Sequence, residues 1–323
     1  MDYRKLGRTG LKVSPLCMGT MQFGWSVSEV DTHRVLSAAL ESGINFVDTA
    51  DVYSRWLEGN PCGVSETYIG NWMKAAKISR DKIVLATKVR GEMGAGPNDQ
   101  GLSRVHIMQA VEASLKRLQT DYVDLYQAHW TDDDTPIEET LRAFDDLVRQ
   151  GKVRYIGVSN YKAWELMQAL WTADKYNLAR YDCLQPHYNM MWRSEFEAEL
   201  RDVCKTYGLG VIPYSPLAGG FLTGKYRKDK SLPVSKRAES RKRDMTEKNF
   251  ALLATMDEIA AAHNATVSQV ALAWLLADPV ITSPIIGATS VEQLTENLGA
   301  LDVKLREDEM TSLNKITVWK ESE

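Results

Sequence analysis

Eight times along this 323-residue chain, a short run rich in apolar residues is followed by a longer stretch of helical period. The runs are Leu16–Gly19, Asn45–Asp48, Ile83–Lys88, Val123–Ala128, Val153–Val158, Cys183–Gln185, Gly210–Tyr214 and Pro284–Ile286. None is long enough for a stable helix, and each is bounded by turn residues, so each reads as a strand. The stretches between them predict helices near Val30–Ser42, Glu66–Ala75, Arg104–Leu118, Ile137–Arg149, Ala163–Tyr176, Glu195–Tyr207, Val267–Ala277 and Val291–Leu298. A strand that returns through a helix pairs in parallel with its predecessor. Eight such units predict an α/β fold, a (β/α)8 TIM barrel closed by parallel strands.

Tyr3 to Ser14 predicts an N-terminal β-hairpin around a glycine-bounded turn. Glu247–Ala262 and Glu307–Ile316 fall outside the repeat and predict two extra helices. Thr135, ahead of Pro136, predicts an N-cap, with Glu138 and Glu139 in the first turn to complement the helix dipole. Gly151 predicts that helix's end. No Pro/Gly/Ser-rich linker divides the chain, so residues 1–323 are read as a single domain.

Net charge of −4 gives no basis for expecting nucleic acid or an anionic membrane as partner. The longest apolar stretch, Val270–Ala277, is too short to span a bilayer. The N-terminus shows no apolar signal segment. Cys17, Cys62, Cys183 and Cys204 are scattered, and the five histidines show no HExxH spacing, so the sequence offers neither a disulfide framework nor a metal site. Together these readings predict a cytoplasmic protein.

Four residues at or just past strand ends carry the chemistry: Asp48, Tyr53, Lys88 and His129. A free phenol, with a pKa of about 10, exchanges its proton too slowly near neutrality. A nearby ammonium favours the phenolate. Lys88 can supply that charge, Asp48 can hold Lys88, and His129 can share the proton or meet a carbonyl oxygen. The expected reaction is protonation of a carbonyl oxygen while hydride reaches carbon, with Tyr53 as general acid. Later strands end in Ser159-Asn160, Gln185, Tyr214-Ser215-Pro216-Leu217 and Gly287-Ala288-Thr289, groups suited to an amide ring and its attached phosphates. Trp25, Trp56 and Trp130 fall in strand-end loops and can wall a substrate.

Between Lys225 and Arg243 the chain holds nine Lys/Arg against two acidic residues. This segment follows the seventh strand, on the face where such barrels keep their active sites. It predicts a phosphate clamp that folds over a cofactor. Two other motifs are set aside. Gly219–Tyr226 has GxxxxGK spacing but ends in Tyr, where a P-loop needs Ser or Thr. Gly91–Gly96 has the wrong order for a Rossmann fingerprint.

Nearly end to end, the chain resembles the aldo-keto reductase superfamily. The resemblance rests on Asp48-Thr49-Ala50-Asp51-Val52-Tyr53, Ala86-Thr87-Lys88-Val89, Asp124–Gln127 with His129, Gly157-Val158-Ser159-Asn160, Tyr214-Ser215-Pro216-Leu217, Leu222–Tyr226 and Ile286-Gly287-Ala288-Thr289. Gly63–Thr67 and Leu222–Tyr226 make it similar to the bacterial branch related to the potassium-channel β subunits. The resemblance implies NADPH across the C-terminal mouth of the barrel, with Asp48, Tyr53, Lys88 and His129 as the catalytic tetrad. It implies that Ser159, Asn160 and Gln185 hold the carboxamide and that Tyr214 stacks on the ring. Thr20, Met21, Asp48, Ser215, Pro216, Leu217, Gly219 and Lys225 fall at further cofactor positions. Gly287, Thr289, Gln293, Glu296 and Asn297 match the adenosine end.

Many members place Lys or Arg near positions 289 and 293, where this chain has Thr and Gln. Arg243 and its neighbours Arg237, Arg241 and Lys242 are therefore the expected partners of a 2′-phosphate, and NAD stays open beside NADP. The expected function is NADPH-dependent, reversible reduction of aldehydes or ketones. The alternatives are an NAD(P)-dependent sugar dehydrogenase and a redox-sensing cofactor-binding module. Against the last, the channel-subunit branch has Asn where this chain has His129. The expected partner is a small carbonyl compound or a sugar; substrate and oligomeric state are not legible.

Overall fold

The computed structural model describes residues 1–228, 230–233 and 238–319. One eight-stranded parallel sheet runs, in chain order, through Cys17–Gly19, Phe46–Asp48, Val84–Val89, Val123–Ala128, Val153–Ser159, Tyr181–Gln185 and Gly210–Val211. The eighth strand, Ile285–Gly287, pairs with the first. Ile285 N–H donates to Pro213 O at 2.9 Å and Thr282 N–H to Val211 O at 2.8 Å, which joins seventh strand to eighth and closes the barrel. The seventh strand is shorter than the sequence suggests. Its hydrogen bonds nevertheless continue through Ile212 N–H to Leu184 O and Tyr214 N–H to Pro186 O, while Pro213, with no N–H, interrupts the ladder.

Outside the sheet, helices follow the strands. Five open on a hydroxyl that accepts from the backbone N–H three residues on: Ser28, Ser103, Thr246, Thr266 and Ser290. The helix Ile137–Arg149 departs from expectation. Its N-cap is Pro136, with no side-chain cap, because the Thr135 hydroxyl donates instead to Asp132 at 2.8 Å. Gly151, at φ +74°, ends it as expected. The stretch read as one helix over Glu195–Tyr207 begins with a π-turn, Phe196–Leu200, before regular helix over Arg201–Tyr207. There Glu197 accepts from Tyr188, Arg193 and Trp319, which anchors the wide turn. Among the described residues no single helix is long and apolar enough to cross a membrane.

Alternation along the strands sorts the core. Tyr126, Leu85 and Val47 face outward into the large cluster beneath the helices. Cys17, Phe46, Val84, Ala86, Leu125, Cys183, Ile212 and Ile285 face inward and fill the barrel. The hairpin Arg4–Lys5 with Lys12–Val13 plugs the N-terminal end, sending Leu6 and Val13 into that inner cluster. Gly7 makes this possible. Its φ is +56°, and a Cβ would lie 2.3 Å from the Gly210 nitrogen.

Candidate active site

Above the apolar plug, the next inward positions on the same strands are polar. Phe46 is followed two residues on by Asp48, Ala86 by Lys88, Leu125 by Gln127 and Cys183 by Gln185. The pairing register keeps them level, with Lys88 opposite Gln127 and Ser159 opposite Gln185. Period two therefore carries the chain from packing to chemistry in one step.

Lys88 is wholly buried. Its Nζ donates to Asp48 Oδ2 at 2.6 Å, Thr49 O at 2.8 Å and Tyr53 Oη at 3.1 Å. Asp48 Oδ1 accepts from Gln185 Nε2 at 2.9 Å and Gln127 Nε2 at 3.1 Å. Every hydrogen of the ammonium thus has a partner, and the carboxylate is pinned from both sides. Burial alone would lower the Lys88 pKa, but Asp48 and Tyr53 outweigh it and hold the ammonium above its ordinary value. Burial also pushes the Tyr53 phenol up, against the downward pull of Lys88, and burial prevails. The ammonium expected to bring the phenol down is indeed its partner, but desolvation outweighs that pull and the phenol stays above its ordinary value.

His129 follows the fourth strand, where its N–H donates to Val89 O at 2.9 Å. Its ring stacks on Trp130 at 3.8 Å and meets Tyr53 edge-on at 5.9 Å. Nδ1 is buried with no hydrogen-bond partner among the described residues. Burial, then Lys88 and Arg90, hold the imidazole well below its usual pKa, so it is neutral at physiological pH.

Tyr53 and His129 lie on the floor of a cleft of about 900 Å³. Trp25, Trp56 and Trp130 line one end of it, with Trp25 and Trp56 edge to face at 5.9 Å. Thr20, Met21, Asp48, Ser159, Asn160 and Gln185 line the middle. Tyr214, Ser215, Pro216, Leu217, Gly219 and Lys225 form a second wall. Gly287, Thr289, Gln293, Glu296 and Asn297 complete it. Asn160 is committed on both faces, donating to His129 O at 2.9 Å and accepting from Tyr214 Oη at 2.9 Å. Gln293 Oε1 accepts from both the N–H and the hydroxyl of Thr289.

Lys88 stands behind this lining, reaching the cleft only through Tyr53 and Asp48. Arg243 is not part of the lining. Its side chain is 67% exposed, with Nε 3.8 Å from Asp244. Arg241 is 15% exposed, paired with Asp244 at 3.0 Å, and a Cβ on Gly219 would lie 3.2 Å from its Nη1. Arg237 lies outside the described residues.

Sequence reasoning passed over Gln127, although its parity with Leu125 marks it as inward-facing. It also passed over a buried acidic group beside the tetrad. Both Asp51 carboxylate oxygens are buried without a hydrogen-bond partner among the described residues. Burial, then neighbouring Glu66, push that carboxyl well above the usual range. Glu66 itself accepts from Thr87 at 2.6 Å and Arg117 at 2.6 Å. Nothing in the spacing of these residues announces the group, because it is assembled from one strand, the turn after another, and two helices.

Residues 15–318 match the aldo/keto reductase family. The chain is 42% identical to the uncharacterized oxidoreductase YrpG of Bacillus subtilis, over 98% of this chain and 96% of that one. It is 37% identical to protein tas of Escherichia coli, over 98% and 97% of the two chains. It is also 37% identical to a probable voltage-gated potassium channel subunit beta of Oryza sativa, over 94% and 92%.

Proposed function

The chain belongs to the aldo/keto reductase family of oxidoreductases, and we propose that it reduces aldehydes or ketones to alcohols, reversibly, with NADPH as cofactor. The carrying observation is the Lys88 ammonium held between Asp48 Oδ2 at 2.6 Å and Tyr53 Oη at 3.1 Å beneath an open cleft. A phenol beside a fixed cation has a ready acceptor for the charge it develops on losing its proton. Tyr53 donates that proton to the carbonyl oxygen, Lys88 stabilises the phenolate, and Asp48 holds Lys88. Gln127 and Gln185 hold Asp48. Neutral His129 can offer an N–H to the carbonyl oxygen without placing a second cation beside Lys88.

The cleft suits an extended dinucleotide. Its volume of about 900 Å³ lies at the upper end for ligand sites. Gly219 and Gly220, at φ +63° and +96°, hold a left-handed backbone that other residues would strain, with Arg241 and Lys225 3.2 and 3.1 Å from where their Cβ atoms would stand. Position 287 has no atom nearer than 3.8 Å to a Cβ. When bound, the reduced nicotinamide supplies the hydride. Tyr214 and Asn160 would bound the ring, Lys225 the phosphates, and Gln293, Glu296 and Asn297 the adenosine. Gln293 Oε1 and the Thr289 hydroxyl are committed to each other, which leaves the cations after the seventh strand, Arg241 among them, for a 2′-phosphate. The three tryptophans favour substrates with a flat or apolar face.

The test mixes protein, NADPH and a nitrobenzaldehyde and follows absorbance at 340 nm. Cofactor binding without turnover across a broad carbonyl panel would overturn the reading. A second reading, a cofactor-sensing subunit, draws on the likeness to the channel subunit. It predicts slow turnover together with a partner whose binding depends on cofactor redox state.

A further inference from the structure

One wall of the cleft is backed by a stack of rings that the reaction above does not use. His187 lies nearly parallel to Tyr214, centroids 5.1 Å apart at 15°. Trp192 covers the other side of His187 at 5.4 Å and 34°. The stack is fastened at both ends. Tyr214 N–H donates to Pro186 O at 2.9 Å, and Asn189 Nδ2 donates to Ser215 O at 2.9 Å. Tyr214 Oη is tied to Asn160 at 2.9 Å. Tyr214 therefore gives one face to His187 and lines the cleft beside Asn160, where the proposed reading puts the nicotinamide.

We propose that His187 is a positioning residue for the cofactor: it backs Tyr214 and, when protonated, weakens the cleft's hold on the oxidised, cationic nicotinamide relative to the reduced, neutral one. This rests on the reading that a nicotinamide binds against Tyr214. A proton on His187 would then sit one ring away from the cofactor's own positive charge. Among the described residues, the charged groups that act on the imidazole are Glu195, which favours its proton, and Arg241 and Arg243, which oppose it. Tyr214 and Trp192, the rings in contact with it, are uncharged at neutral pH. Burial first, and then the two arginines, hold its pKa below the ordinary value of 6.5, against Glu195. The device accordingly works on the acid side of neutrality.

The charge separation would be about 9 Å, two stacking distances, across a partly wet site. Coulomb's law there gives a change in relative affinity of roughly 3- to 10-fold. The experiment measures dissociation constants of NADP⁺ and NADPH from pH 8 to pH 5, by tryptophan fluorescence, for wild type, His187→Phe and His187→Gln. Taking the ratio of the two constants removes the 2′-phosphate, whose own titration near pH ~6 is common to both forms. In wild type, the ratio of the NADP⁺ constant to the NADPH constant should rise roughly 3-fold or more as pH falls. In both variants it should stay flat, or keep only the smaller slope that other groups contribute. His187→Phe preserves the stack and His187→Gln preserves polarity, so either one carries the comparison if the other fails to fold. A flat wild-type ratio, or an unchanged slope in the variants, overturns the proposal and leaves the proposed activity standing. Failure of wild type to bind either cofactor form overturns both.

Discussion

The floor of the cleft and the segment after the seventh strand, its proposed roof, both depend on charge, but they keep it in different ways. On the floor, Lys88 is completely buried and Asp48 nearly so, and their partners come from strands and from the turn just past the Phe46–Asp48 strand. Among the described cations of the segment after the seventh strand, five are already paired, and three of those are more than half exposed. Arg227 binds Asp257, Lys228 binds Glu247, Lys242 binds Glu239, and Arg241 and Arg243 share Asp244. A buried pair cannot lose one member without leaving an uncompensated charge. An exposed pair can exchange its partner for water or a phosphate at little net cost. The floor holds one geometry, and the exposed pairs after the seventh strand are the ones whose charges can change partners.

The sharpest way to break this contrast is Lys88→Met. It should abolish most turnover and, because Asp48 is left buried and unpaired, destabilise the fold by about 3–5 kcal/mol. Urea denaturation reads the second effect. Adding Asp48→Asn should restore much of the stability and none of the turnover. Full stability in the single variant would show that the pair is less isolated from solvent than its burial indicates.

Tyr53→Phe probes the chemistry on the same floor. Turnover should fall ~10²-fold or more, in the range for loss of a general acid. Cofactor affinity should hardly move, since the ring and its packing remain, and stability should fall by about 1–3 kcal/mol, because a buried Lys88 N–H loses its acceptor. Near-wild-type turnover would remove Tyr53 from the reaction.

In the roof, neutralising Arg241, Lys242 and Arg243 together should raise the NADPH dissociation constant more than that of NADH. Charge-assisted contacts contribute about 1.5–3 kcal/mol each when enclosed, and less for a side chain as exposed as Arg243. Among single variants, Arg241 should therefore matter most. Added salt should weaken NADPH binding in wild type and less so in the triple variant. An unchanged NADPH/NADH ratio would make this segment solvated surface only.

The smallest effects concern pH. The Asp51 carboxyl is raised in the fold, so its contribution to stability is complete below its unfolded value of 3.8 and is lost as pH rises from there through the folded one. At neutral pH the ionised form is penalised, and Asp51→Asn should leave stability unchanged or raise it slightly. For His129 the sign reverses. Its folded value is depressed, so its contribution is complete above its ordinary value of 6.5 and fades as pH falls below it. Replacing His129 with Gln should flatten that part of the acid limb of stability against pH.

How much of this was legible beforehand differs along the chain. The helices Arg104–Leu118, Ile137–Arg149 and Ala163–Tyr176 have the limits that hydrophobic period indicates; Gly151 stops the second, and left-handed Gln119 and Asn177 end the others. The cap at Thr135 did not follow, because its hydroxyl had a competing acceptor in Asp132, three residues upstream. In the site, Asp48, Lys88, Tyr53 and His129 could be picked out because strand ends in such barrels converge on one mouth. Gln127 was hidden by expecting polar groups past strand ends, when it lies within a strand.

Local sequence determined the eight strand–helix units, and through the period of two it determined which side of each strand faces inward. It also determined the chemical kinds of residue delivered to the mouth. Tertiary structure alone decided which of them touch. The 2.6 Å contact of Lys88 with Asp48 and the ring stack of His187 on Tyr214 join segments whose separation in sequence is unrelated to their distance in space. It also decided the energetics of those contacts. Whether Lys88 lowers the Tyr53 phenol or burial raises it depends on how much water reaches the pair. Solvent exclusion is a property of the closed barrel as a whole, to which every strand and helix contributes, and so it has no signature at any one position in the chain.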